Sequence, residues 1–113
     1  MSKKYKVKDS GKRVDYPSGM RRDIQTDKPR YDLVYIPMLT RWANLMMSGA
    51  VKYGEDNWKL ADSKAELIRF RASAFRHFIQ WFTNLDDEED HAAAVFFNIS
   101  CVEYLKNEKK VKL

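Results

Sequence analysis

Residues 87–106 read DEEDHAAAVFFNISCVEYLK. Four acids precede a histidine, and a long apolar run follows and ends in lysine. The stretch predicts a helix over 87–106, with an acidic start and a lysine-rich end that each complement the helix dipole. Ala92, Ala93, Ala94, Val95, Phe96, Phe97, Ile99, Cys101, Val102, Tyr104 and Leu105 make this helix apolar nearly all round. Such a helix belongs at the centre of a bundle. The expected fold is therefore all-α: a small helical bundle of about three main helices. Three helices cannot surround one of their own number, so the bundle is expected to be completed by oligomerisation, as a dimer or a larger homo-oligomer.

Two helices precede this one. The first is expected over 37–51, with Pro37 in its first turn and Gly54 just past its end. Leu39, Ala43, Met46 and Ala50 recur there at helical spacing, widened by Trp42 and Leu45. The second starts at Ser63, where Ser63-Lys64-Ala65-Glu66 has the spacing of a capping box, and runs to about residue 83. The short connection through Asn84 and Asp86 predicts antiparallel packing of the second and third helices. Residues 1–30 hold Gly11, Pro17, Gly19, Pro29 and many charges. Residues 1–18 are expected as a flexible basic arm and 19–113 as a single all-α nucleotide-binding domain.

At 44% hydrophobic and 33% charged residues, the 113-residue chain has the composition of one folded domain rather than a disordered tract. No apolar run reaches the ~18–20 residues of a membrane span and no signal-peptide core is present, so no membrane partner and a cytoplasmic setting are expected. Cys101 is the sole cysteine and reads as a small core residue. The net charge of +5 is concentrated at the two ends, from Lys3 to Arg13 and from Lys106 to Lys112. It favours anionic ligands, whereas the absence of a nucleic-acid motif argues against DNA or RNA as the partner.

Polar residues interrupt the expected core. Asp87, His91, Ala94 and Asn98 fall on one line of the third helix, and Glu66, Phe70, Ser73 and His77 on one line of the second. Arg69 and Arg76 run beside the latter. Antiparallel packing would let His77 and His91, the chain's two histidines, face one another near Asp87. Such a group suits a functional site as well as it suits a capped helix end. The carboxylates of 86–90 serve either as a solvated cap or as ligands for a hard cation.

The connection GAVKYGEDNW, residues 49–58, is richer than a helix link requires. Gly54 can take a positive φ and admit a close ligand. Lys52 offers a phosphate-binding charge, Asn57 a hydrogen-bonding amide, and Tyr53 or Trp58 a stacking ring. Upstream, Lys28-Pro29-Arg30 adds two cations on a stiff segment. Together these residues describe a polyanion site with an aromatic platform.

Asp27-Lys28-Pro29-Arg30-Tyr31-Asp32-Leu33, the Lys52-Tyr53-Gly54 and Asn57-Trp58 block, Arg76-His77, and Asp87 with His91 and Asn98 resemble the phage dATP/dGTP diphosphohydrolase family. The resemblance covers about residues 19–105. That family is related in activity to the all-α nucleoside triphosphate pyrophosphatases. The resemblance implies metal-dependent cleavage of a purine deoxynucleoside triphosphate to monophosphate and pyrophosphate in an infected host cell. Magnesium or manganese would be the cofactor. Asp87, His91 and His77 are the implied catalytic residues, and Asp87, Glu88 and His91 the implied metal ligands. Lys28, Arg30, Lys52, Tyr53, Gly54, Asn57, Trp58, Arg76 and Asn98 would bind the nucleotide. The Glu-x-x-Glu pair of the better-known pyrophosphatases is missing, since Arg69 stands at the third place after Glu66, and Asp87 with Asp90 keeps the spacing of one half only. A protein that sequesters a nucleotide or a cyclic nucleotide signal without turnover is the alternative expectation.

Overall fold

A computed structural model of the protein describes residues 4–113. The first three positions of the expected arm, Lys3 among them, lie outside the described residues. The chain forms two compact units, the first ending at Val34 and the second beginning at Tyr35.

In the first unit the expected irregular arm contains a hairpin. Strands β1 (Arg13–Asp15) and β2 (Arg21–Asp23) pair antiparallel, with Arg13 opposite Asp23 and Asp15 opposite Arg21. The four-residue turn between them begins at Tyr16, with Pro17 second and Gly19 fourth, and the Gly19 N–H donates to the Tyr16 carbonyl at 2.9 Å. Apolar alternation is absent from RVD and RRD. Charge pairs hold the ladder instead, among them Arg21 to Asp15 at 2.6 Å. A single 3-10 turn at Tyr31–Leu33 completes the unit.

The second unit is all-α. Helix α1 (Ile36–Tyr53) carries Pro37 in its first turn and ends at Gly54, whose N–H donates to the Ala50 carbonyl at 2.9 Å. A 3-10 turn follows at Asn57–Leu60. Helix α2 (Lys64–Phe82) starts with the expected capping box: Ser63 Oγ accepts from the Glu66 N–H at 3.2 Å, while Glu66 Oε1 accepts from the Asp62 N–H and the Ser63 hydroxyl. Helix α3 (His91–Asn107) packs along α2 and, less extensively, on α1. The core gathers Ala61, Leu67, Val102 and Leu105, with Phe70 and Val111 against it. Cys101 is buried, as expected, and burial pushes its thiol up to about 12 against a weaker lowering contact from Ser100.

One difference from the sequence expectation matters, and one expected feature is seen. Helix α3 begins at His91, so Asp87, Glu88 and Glu89 form a turn before the helix rather than its first turn. Asp90 takes the N-cap, and its side chain accepts from the Ala93 N–H at 3.1 Å. The apolar surface also remains uncovered within one chain: no residue of α1 is fully buried, Leu39 of its expected stripe is exposed, and so are Phe96 and Ile99 of α3. Among the described residues no helix is long and apolar enough to cross a membrane.

Asp90 also receives both Arg41 donors, Nε at 2.7 Å and Nη2 at 2.6 Å, tying α1 to the start of α3. Arg41 is the main cause that holds the Asp90 carboxyl below its ordinary 3.8. Asp90→Ala should therefore cost about 1–2 kcal/mol, most of it the lost cap. The carboxylate is favoured in the folded state, so this contribution is complete above 3.8 and fades as pH falls through the depressed folded value. Thermal melts of both proteins at neutral pH and in acid should show a gap of roughly 4–12 °C that narrows on acidification. An unchanged gap would remove the Asp90 charge from the account.

Candidate functional site

The last turn of α2 and the turn before α3 meet around the two histidines. The connection doubles back with left-handed backbone at Asn84 (φ 56°) and Glu88 (φ 68°). Asp87 Oδ1 lies 2.7 Å from His91 Nε2, and His91 Nδ1 lies 2.9 Å from His77 Nδ1. Antiparallel packing thus brings together the histidine pair and the acid that the sequence pointed to. His91 is only 4% exposed, so its ring depends on these two partners.

The protonation pattern follows from the donor inventory. A carboxylate only accepts, so His91 Nε2 carries the proton shared with Asp87. With both rings neutral, His91 Nδ1 then accepts from His77 Nδ1–H, which leaves a lone pair on His77 Nε2. Arg76 Nη2 approaches that atom at 3.5 Å. Burial, then the Arg76 charge and His91, shift the His77 ring down and favour its neutral form. Burial pushes the Asp87 carboxyl up, but the Glu89 backbone N–H and the His91 ring outweigh it and hold it below its ordinary value.

Asp87, Glu89 and His91 offer donor atoms that all lie within 4.8 Å of one another. The expected set had Glu88 in place of Glu89. In a turn, alternate residues can come to the same side, and Asp87-x-Glu89-x-His91 has that spacing. That signal could have been found in the sequence. Glu88 instead lines an adjoining cleft with Arg41, Gln80, Asp86, Glu89 and His91. Gln80 Oε1, also in this cleft, is buried without a hydrogen-bond donor.

The second region is the 49–58 connection. Lys52, Tyr53, Gly54, Asn57 and Trp58 line a cavity of about 710 Å³ whose apolar wall comes from Leu45, Met46, Phe70 and Phe97. That volume suits a small organic ligand, for which about 300–1,000 Å³ is usual. Gly54 takes φ 95° with ψ 151°, a conformation only glycine adopts readily, and the space around it is open. Trp58 is half-buried and meets Tyr104 edge-to-face at 4.9 Å, so packing already engages part of its ring. Lys52 Nζ sits 5.1 Å from the Tyr53 ring. The methionines and phenylalanines of the wall read in the sequence only as core positions, because an apolar face on a helix does not reveal whether protein or ligand covers it.

The remaining expected site residues are distributed otherwise. Lys28 and Arg30 belong to the first unit, where Lys28 pairs with Asp23 at 3.5 Å and Arg30 with Asp32 at 2.7 Å. Asn98 is buried, and its Nδ2 donates to the Ala94 carbonyl at 2.8 Å, so that donor is engaged within α3. Glu66 is engaged in the α2 cap. Phe97 of the cavity wall lies six residues beyond His91 on α3, about 9 Å along the axis at ~1.5 Å per residue.

No curated protein and no solved structure matches this chain. A family model described as dATP/dGTP diphosphohydrolase, N-terminal, matches residues 18–112. That span takes in strand β2, the loop cavity and the whole histidine cluster, and the chain belongs to the dATP/dGTP diphosphohydrolase N-terminal family.

Proposed function

We propose that the protein binds a purine deoxynucleoside triphosphate and hydrolyses it to monophosphate and pyrophosphate. The observation that carries this reading is the cavity under residues 49–58, which joins an apolar wall to a lysine, an asparagine and aromatic rings. A base fits the wall of Leu45, Met46, Phe70 and Phe97, and Trp58 and Asn57 border the base or sugar. Lys52 and Arg76 meet phosphates, and Gly54 leaves room for close approach. Asp87, in the turn before α3, supplies a carboxylate oxygen that takes the proton from an attacking water, and the His91 ring beside it, backed by His77, fixes its position. Asp87, Glu89 and His91 would hold a divalent cation, which would offset phosphate charge. Magnesium and manganese, the two cations expected, are both best matched to oxygen donors, so the imidazole in the donor set favours a later first-row ion such as zinc.

Trp58→Ala tests the cavity. A stack contributes ~1–3 kcal/mol per base, so affinity for dATP or dGTP should fall roughly ten- to a hundredfold. Lys52→Ala should weaken the triphosphate more than the nucleoside. Calorimetric titration beside melting curves separates this from packing against Tyr104, which lowers thermal stability but leaves affinity per folded molecule unchanged. Equal affinity of both variants and the wild type would overturn the assignment of the loop. Chromatography of the same mixtures reads turnover. Unchanged nucleotide retained by the protein would support sequestration instead.

The functional form on this reading is a homo-oligomer. Ile68, Phe75 and Phe78 of α2 form an apolar groove with Val95 and Ile99 of α3. Arg71 and Glu103 lie at its rim, on opposite helices. A second copy related by a two-fold axis would bring each Arg71 to the other chain's Glu103 while covering both grooves.

A further inference from the structure

We infer that the Asp87, Glu89 and His91 cluster selects a first-row transition ion over magnesium, and that His77 positions His91 for ligation by fixing its tautomer. The inference concerns the cation of the proposed site and rests on the donor set in the folded chain. One nitrogen and two carboxylates lie within 4.8 Å of one another, and the nitrogen is on a ring that is 4% exposed. Magnesium dehydrates reluctantly and takes carboxylates, waters and phosphates. Imidazole suits iron, nickel, copper and zinc, while manganese stands lowest of the first-row series and is better matched to oxygen donors. A buried imidazole is therefore a feature that magnesium does not use and a transition ion does. Gln80 Oε1, buried and without a donor in the adjoining cleft, is an acceptor suited to a water of the ion's shell.

The ion needs the lone pair of His91 Nε2, where the proton shared with Asp87 now sits, 2.7 Å from the carboxylate. Freeing that lone pair requires the His91 proton to move to Nδ1, and a buried Nδ1–H must have an acceptor. His77 Nδ1, at 2.9 Å, is that acceptor once its own proton resides on Nε2. Before binding, His91 is protonated at Nε2 and His77 at Nδ1; after binding, His91 is protonated at Nδ1 and His77 at Nε2. Each ring holds one proton in both states, so the exchange releases none. Arg76, at 3.5 Å from His77 Nε2, favours the first arrangement, and its exposed side chain can turn away in the second. Partners of this kind, which orient a metal-bound histidine through its far nitrogen, typically matter by about 10–100-fold in metal affinity.

The test uses the nucleotide-free protein, so it stands apart from hydrolysis: failure of turnover leaves it intact, and its failure leaves nucleotide binding intact. Calorimetric titration with manganese, zinc and magnesium chlorides should give a zinc affinity at least tenfold above magnesium, with manganese between the two. ¹⁵N spectra of the histidine rings with zinc should show the ion on His91 Nε2 and the His77 proton moved from Nδ1 to Nε2. His77→Phe should weaken manganese and zinc roughly ten- to a hundredfold. His77→Asn keeps an acceptor oxygen near the Nδ1 position, so it should retain most of the affinity and provides a second variant should the phenylalanine disturb folding. Equal magnesium and zinc affinity overturns the selectivity. A His91 Nε2 resonance unmoved by zinc overturns the ligand assignment, and wild-type affinity in His77→Phe overturns the positioning role.

Discussion

Asp87→Asn should leave the helical unit folded and reduce hydrolysis of a purine deoxynucleoside triphosphate by roughly 10²- to 10⁴-fold, the range of a lost acid–base group. An asparagine oxygen still accepts from His91 Nε2–H, so the buried ring keeps its partner and the melting temperature should stay near that of the wild type. What disappears is the negative charge, and with it, on the proposed mechanism, both a cation ligand and the base for the attacking water. The loss should lie in kcat more than in nucleotide affinity, because the cavity under 49–58 is made by other residues. Single-turnover product analysis by chromatography checks it. Undiminished turnover in Asp87→Asn would remove Asp87 from the mechanism.

Phe75→Glu should convert an oligomer into a monomer. Phe75 is 68% exposed on one chain, beside the groove of Ile68, Phe78 and Ile99. In a two-fold interface one substitution acts twice, removing two aromatic side chains at ~1.5–3 kcal/mol each and introducing two carboxylates. The apolar loss alone amounts to about two to four decades of dimer affinity. Light scattering at micromolar concentration should give at least a dimer mass for the wild type and a monomer mass for the variant. A monomeric wild type, or a variant of unchanged mass, would refute self-association through this face.

The helices were legible because periodicity and punctuation agree there. Pro37 and Gly54 bracket α1, and Ser63 with Glu66 opens α2 by a mechanism visible in four letters. The start of α3 was displaced because acids suit both a first helical turn and the turn before it. Which of them becomes the N-cap depended on Arg41, a residue 49 positions away in the chain. The same displacement brings Glu89, rather than Glu88, beside Asp87 and His91. The hairpin of the first unit was missed because its strands are three residues long and carry no apolar alternation, although Tyr-Pro-Ser-Gly is a turn signal. The facing histidines could be foreseen from a short connection and antiparallel packing. That they touch through Nδ1 on both rings could not, because rotamers are set by neighbours from both helices.

The burial of Cys101 has a practical side. With its thiol pushed up by burial, the reactive thiolate is scarce there at neutral pH. Alkylating reagents and mild oxidants have almost nothing to react with while the chain is folded. Any assembly of this protein therefore forms without covalent cross-links, and its mass should be indifferent to reducing agent. Thiol labelling of Cys101 becomes instead a clock for unfolding, since the sulfur is reached only when α3 leaves the core.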